Sequence, residues 1–132
     1  MTIPRRKVKW ELTGLARVDV AVWVSVAKLE NNWRANVVEY IGPGGSGNAI
    51  AGRYENFSEW VGSHARVGMP EICLVDGTVR ISNGRHRFSW FRDHGMIALQ
   101  IQVPPDQVDL FREQFGTEDQ LSEWLDVERI SQ

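Results

Sequence analysis

Ile72-Cys73-Leu74-Val75-Asp76-Gly77-Thr78-Val79-Arg80-Ile81, followed by Ser82-Asn83-Gly84-Arg85-His86-Arg87-Phe88, carries the densest local signal in the chain. Two apolar, β-rich runs flank Asp-Gly, whose readiness to adopt positive φ supplies the tight turn that matches strand twist, so the segment predicts a hairpin. The second run passes directly into Ser82-Asn83-Gly84, a turn of cap-forming residues. A helix over residues 85–94 follows, stopped by Gly95 in the left-handed position. Residues 97–103 predict another strand, closed by Pro104-Pro105. Strands interleaved in this way with helices predict an α+β class, a small mixed sheet with packed helices.

Upstream, residues 18–27 are rich in valine and predict one or two strands. Residues 29–41 read equally as a short helix or a strand. Gly42-Pro43-Gly44-Gly45-Ser46-Gly47-Asn48 is expected to be a mobile loop without regular structure. Asn56, with Glu59 three residues on, has the form of a capping box opening a helix whose apolar face holds Phe57, Trp60, Val61 and His64. Downstream, one helix is expected from Asp106 to Gly116, and a second is capped by Thr117 with Gln120 completing the box. The chain therefore reads as a single domain over residues 1–132 with an acidic, helical segment at 106–132.

The chain has 132 residues, 42% of them apolar and 24% charged, which is ordinary for one globular domain. No apolar run approaches the roughly 18 residues of a membrane span. Cys73 is the only cysteine, so neither a disulfide framework nor a cysteine-based zinc cluster can form. The basic start, Met1 to Lys7, is not followed by the apolar core of a secretory signal, and a cytoplasmic location is expected. Residues 1–105 carry 13 Lys/Arg against 9 Asp/Glu, a net of +4, whereas residues 106–132 carry 2 against 8, a net of −6. A chain of net charge −2 is not suited to coating nucleic acid non-specifically, but it can hold a local anion site.

That site is suggested by the helix that opens with Arg85-His86-Arg87. Helix N-termini carry partial positive charge and normally recruit acids, so each misplaced cation costs about 0.3–1 kcal/mol at low salt. Two readings follow. Either the side chains turn outward and pair with Glu71, Asp76 or Asp93, or an anion sits on the glycine turn, the helix dipole and the guanidinium groups together. The same residues carry a family resemblance. Asn83-Gly84-Arg85-His86-Arg87-Phe88, then Gly95 and the strand at 97–103, resembles the signature of the ParB/sulfiredoxin-like superfamily (the ParB-like nuclease domain) over residues 70–104. The resemblance implies a small α+β fold holding a nucleotide triphosphate, arriving with Mg2+, on Asn83, Gly84, Arg85, His86 and Arg87. It implies His86 as the catalytic residue, and NTP hydrolysis, phosphotransfer or nuclease action as candidate activities. An upstream acid, Glu30 or Glu39, would assist.

The superfamily also contains plasmid fertility-inhibition proteins, so a non-catalytic regulator or inhibitor from a bacterial plasmid or mobile element is the alternative reading. Its partner would be a protein; DNA is the other macromolecular candidate. Sulfinic-acid reduction is excluded, because the reactive cysteine of sulfiredoxins falls at Arg85. Where many relatives carry Asp before the glycine, this chain has Asn83, and Trp90 replaces a small residue of the following helix.

The remaining chemistry is sparse. The glycine-rich stretch lacks the Lys-Ser/Thr ending of a phosphate-binding P-loop. His64, His86 and His94 show no metal-ligand spacing. The six tryptophans are spread along the chain, which suits core filling better than a base-stacking platform.

Overall fold

The computed structural model describes residues 3–14, 18–64 and 66–126. Its elements are β1 (Arg5–Lys7), β2 (Lys9–Glu11), β3 (Val20–Ser25), α1 (Val26–Trp33), β4 (Ile41–Gly42), β5 (Ser46–Gly47) and α2 (Arg53–Val61). Then come β6 (Arg66–Gly68), β7 (Glu71–Val75), β8 (Thr78–Asn83), α3 (Arg85–Asp93), β9 (Ala98–Val103), α4 (Val108–Phe115) and β10 (Glu123–Leu125). The class is α+β. The main sheet runs β3-β9-β7-β8, antiparallel except for the parallel β7–β9 pair, and three two-stranded pairs (β1–β10, β2–β6, β4–β5) surround it.

The hairpin forms as expected, with Asp76 at φ 51° and Gly77 at φ 78° between β7 and β8. β8 is an edge strand, and side chains from α1 and the turn after it cover that edge. Asn32 donates to Gly77 O (3.0 Å) and accepts from Val79 N (2.7 Å). Asn36 donates to Val79 O (3.2 Å), and Glu39 accepts from Ile81 N (2.7 Å). Backbone groups that would template another strand are thereby satisfied. In β9, the fully buried Gln102 clips the Thr13 segment to the sheet: its Oε1 accepts from Thr13 N (2.7 Å) and its Nε2 donates to Thr13 O (2.8 Å).

The valine-rich run is a strand only as far as Ser25. The Ser25 hydroxyl accepts from Lys28 N, which caps α1, and Val26, Leu29, Glu30 and Trp33 then fall on one buried helical face. Residues 29–41 are thus helix to Trp33, then a turn, then β4. Around α3 the core closes with aromatic edges: Trp33 meets Phe88 at 5.4 Å, while Phe91 meets Trp10 at 5.3 Å and Phe57 at 5.4 Å.

Three expectations are corrected. The glycine-rich stretch is not devoid of structure: β4 pairs with β5 across a 3-10 turn at Pro43–Gly45, and Asp93 Oδ2 accepts from Gly44 N at 2.9 Å and from the Tyr54 hydroxyl at 2.7 Å. Asn56 does not cap its helix. α2 begins three residues earlier behind Gly52, whose carbonyl accepts from Asn56 N, so Asn56 is already inside the helix. The Thr117 helix does not form, and residues 106–126 are helical only over α4 and the short 3-10 turn at Pro105–Gln107. Thr117 Oγ1 accepts from Asp119 N and Asp119 Oδ1 from Leu121 N, local bonds that hold turns instead of a helix. Ser122, Trp124 and Asp126 are then buried at the two-residue period of a strand, and Trp124 lies against Trp90 and Arg6. Residues 127–132 of the expected helical segment lie outside the described residues.

Candidate functional site

β8 ends at Asn83, and Gly84 turns the chain into α3 with φ 92° and ψ 19°. That left-handed conformation is strained for any side chain, and a Cβ there would stand 2.6 Å from Arg87 Nη2 and 3.1 Å from Pro70 Cα. Glycine is therefore what lets the Arg87 guanidinium fold back over the turn. No side chain caps α3 and its first turn holds no acid, so its leading N–H groups are unpartnered by side chains.

The Arg87 Nε and Nη2 atoms are buried with no acceptor among the described residues. Burial pushes this guanidinium below its usual pKa, with the Glu71 charge opposing. Neither Arg85 nor Arg87 is among the ion pairs of the described residues. The outward-pairing reading fails at Asp93 for a clear reason: its carboxylate is taken by Arg92 Nε at 3.0 Å, Tyr54 and Gly44.

Asn83, Gly84, His86 and Arg87 line a cleft of about 330 Å³, whose other wall is α2 through Arg53, Asn56, Phe57 and Trp60. Arg85 is not part of it; its side chain lines a separate groove with Arg80 and Val38. The expected trio is thus split between two surfaces. Trp60 is the exposed tryptophan of the cleft, stacked on His64 at 3.9 Å, whereas Trp33, Trp90 and Trp124 are buried. Arg53, Asn56 and Trp60 were not legible as site residues, because only the packing of α2 on α3 brings them there.

His86 is buried, and its Nε2 accepts from Ile50 N at 2.9 Å, which fixes a neutral ring with its proton on Nδ1. Burial pushes its pKa below the usual 6.5; the Arg85 and Arg53 charges push the same way and Glu55 opposes. The folded protein therefore binds fewer protons at this site than the unfolded chain. The His86 contribution to stability is present above pH 6.5 and is lost as pH falls through the lowered folded value. Melting temperature followed from pH 7.5 down to about 5 should fall faster in wild type than in His86→Gln, which keeps an acceptor but does not titrate. Parallel curves would mean that His86 is not held neutral.

The acids expected to assist lie elsewhere. Glu30 is buried with Arg92 at 3.1 Å and accepts from the Tyr40 hydroxyl, while Glu39 Oε1 accepts from Trp33 Nε1, Asn36 Nδ2 and Ile81 N. Both are committed to structure. Among the described residues no group of three His, Cys, Asp or Glu side chains could hold a metal ion, and no helix is long and apolar enough to cross a membrane.

No family model matches this chain, and no curated protein matches it. A solved structure does: the crystal structure of the oncogenic suppression activity protein, a plasmid fertility inhibition factor, in a gold(I) cyanide derivative. The TM-score is 0.58 at 15% identity, and the match covers 89% of this chain. It spans 66% of the length of that protein. This chain thus shares its α+β fold with a plasmid fertility inhibition factor.

Proposed function

We infer that this chain binds a nucleotide through its phosphates at the Gly84 turn. The carrying observation is Arg87, whose Nε and Nη2 are buried without an acceptor beside the uncapped start of α3. Two buried N–H-bearing nitrogens without an acceptor on a half-buried guanidinium are costly, and an anion bound by that guanidinium offsets the cost. Arg53 adds a second guanidinium from the facing helix, and none of the lining residues is an acid. Backbone N–H groups, a helix dipole and two guanidiniums suit phosphate oxygens.

The opposite wall favours an organic group attached to the phosphate. Phe57 and the edge of Trp60 provide apolar surface, Asn56 and Asn83 provide amides, and about 330 Å³ lies at the small end of ligand sites. The ParB/sulfiredoxin-like resemblance of the turn supports the same reading. In this reading Arg87, Arg53 and the α3 N-terminus hold the phosphates, and His86 positions the turn through Ile50. With no carboxylate in the cleft, Mg2+ would be held by the phosphates themselves, where it neutralises their charge. The lining supports binding more strongly than hydrolysis, phosphotransfer or nuclease action, since His86 Nε2 is already engaged.

Isothermal titration of ATP, CTP and GTP, with and without Mg2+, into wild type and Arg87→Ala tests this. Wild type should bind at least one of them saturably, and the variant should bind it about 10–100-fold more weakly, the worth of a charge-assisted contact. Equal affinities, or no binding by wild type, would overturn the proposal.

The fold shared with a plasmid fertility inhibition factor supports a second reading, a regulator or inhibitor from a mobile element that docks on a partner protein. A stoichiometric complex unaffected by Arg87→Ala would favour it.

A further inference from the structure

We propose that the groove holding Arg85, on a different surface from the nucleotide cleft, is a docking site for an acidic segment of another protein that carries an aliphatic anchor. The groove runs between the turn after α1 and the β7–β8 hairpin, with a volume of about 570 Å³. Val37, Val38 and Val75 line it and are 79%, 83% and 47% exposed. Single exposed apolar residues are ordinary, but three valines converging on one groove form a patch.

The turn that presents Val37 and Val38 is braced. Asn48 Nδ2 donates to Val37 O at 3.0 Å, Tyr40 N donates to Asn36 O at 2.9 Å, and Asn36 is bonded to both Glu39 and Val79. The valines are held in place before any partner arrives, so little ordering is required on binding.

Charge selects the occupant. Glu39, the acid of the groove, has its Oε1 turned onto Trp33, Asn36 and Ile81 N. Arg80 and Arg85 are the cations, neither of them in an ion pair of the described residues, and Arg85 Nε is buried without an acceptor. An apolar patch rimmed by guanidiniums complements carboxylates that flank a branched aliphatic side chain. The occupant does not add as a strand, because Asn32, Asn36 and Glu39 already satisfy the β8 edge. It must bind through side chains.

A second copy could offer α4, where Leu110 is exposed beside Asp109 and Glu113. That contact joins two different surfaces and closes only as a reciprocal pair or a ring, a constraint that a separate acidic segment does not carry, and a separate protein is the partner proposed.

The probe is an acetylated, amidated peptide Asp-Glu-Leu-Asp-Val-Glu, titrated into the isotope-labelled protein and followed by amide chemical shifts. Saturable shifts are expected at Val37, Val38, Val75 and Arg80. Val38→Asp and Arg80→Glu, both at exposed positions that spare the core, should each weaken binding by about tenfold or more. A peptide with Leu and Val replaced by Ser should bind correspondingly weakly, and Arg87→Ala should bind the original peptide as wild type does. That last arm separates this groove from the nucleotide cleft. Shifts confined to Arg53 and Arg87, equal binding of the serine peptide, or no shifts would each overturn the proposal. Concentration-dependent self-association abolished by both Arg80→Glu and Leu110→Asp would overturn it in favour of a second copy.

Discussion

Glu30→Ala is expected to destabilise the fold by about 2–4 kcal/mol, the cost of removing the buried carboxylate that Arg92 and Tyr40 both bond. Glu30 is 7% exposed and receives Arg92 Nη1 at 3.1 and 3.2 Å as well as the Tyr40 hydroxyl. Arg92 Nη1 also donates to Ile41 O at 2.6 Å, so the pair fastens α1 and α3 to the strand that opens the glycine-rich turn. The exposed Arg34, 3.7 Å from Glu30, contributes little because water screens it. With Glu30 gone, Arg92 would retain Asp93 and Ile41 O but lose its buried counter-ion. For a chain of this size the loss corresponds to roughly 10–15 °C in melting temperature. Glu30→Gln, which keeps an acceptor for Tyr40 and Arg92 without the charge, should lose less than Glu30→Ala. Melting of Glu30→Ala within about 3 °C of wild type would show that the pair does not hold these elements together.

Phe91→Ala should cost about 3–5 kcal/mol, from lost transfer energy and the cavity left behind. Phe91 is fully buried and meets Trp10, Phe57 and Trp90 edge-on at 5.3, 5.4 and 5.5 Å. Those rings belong to β2, α2 and α3, so the cavity opens where three elements join and large rings cannot collapse into it. Because α2 supplies Arg53 and Trp60 to the cleft, the nucleotide affinity proposed for it should fall in the same variant. Phe91→Leu, which restores much of the volume, should recover most of both. Denaturant midpoints and nucleotide titrations on the two variants measure this. A midpoint for Phe91→Ala near that of wild type would mean that the α2–α3 junction is not held by this ring.

What the residues announced locally was built locally. Asp76-Gly77 makes its turn whatever surrounds it, because positive φ is cheap there. Gly84 and Gly95 bracket α3 for the same reason, and the alternating apolar residues of β9 have one partner face to fill. The cationic start of α3 was likewise visible as an anomaly of charge at a helix N-terminus, whereas the absence of a side-chain cap was not.

The misread segments are those where a distant contact outweighs local preference. Thr117 and Gln120 favour a helix, but Trp124 is better buried against Trp90 and Arg6, and β10 forms on β1 to put it there. The glycine-rich stretch has no core of its own, and it is held by Asp93, 49 residues beyond Gly44 in sequence, whose carboxylate Tyr54 also bonds. Sequence alone therefore determined the α+β class, the hairpin and the Gly84 turn, since turn geometry, periodicity and the helix dipole act over a few residues. Tertiary structure alone decided that Arg87 Nε and Nη2 are left without an acceptor in the cleft that Arg53 also lines while Arg85 lines another groove, because which side of a helix meets which neighbour is set by packing.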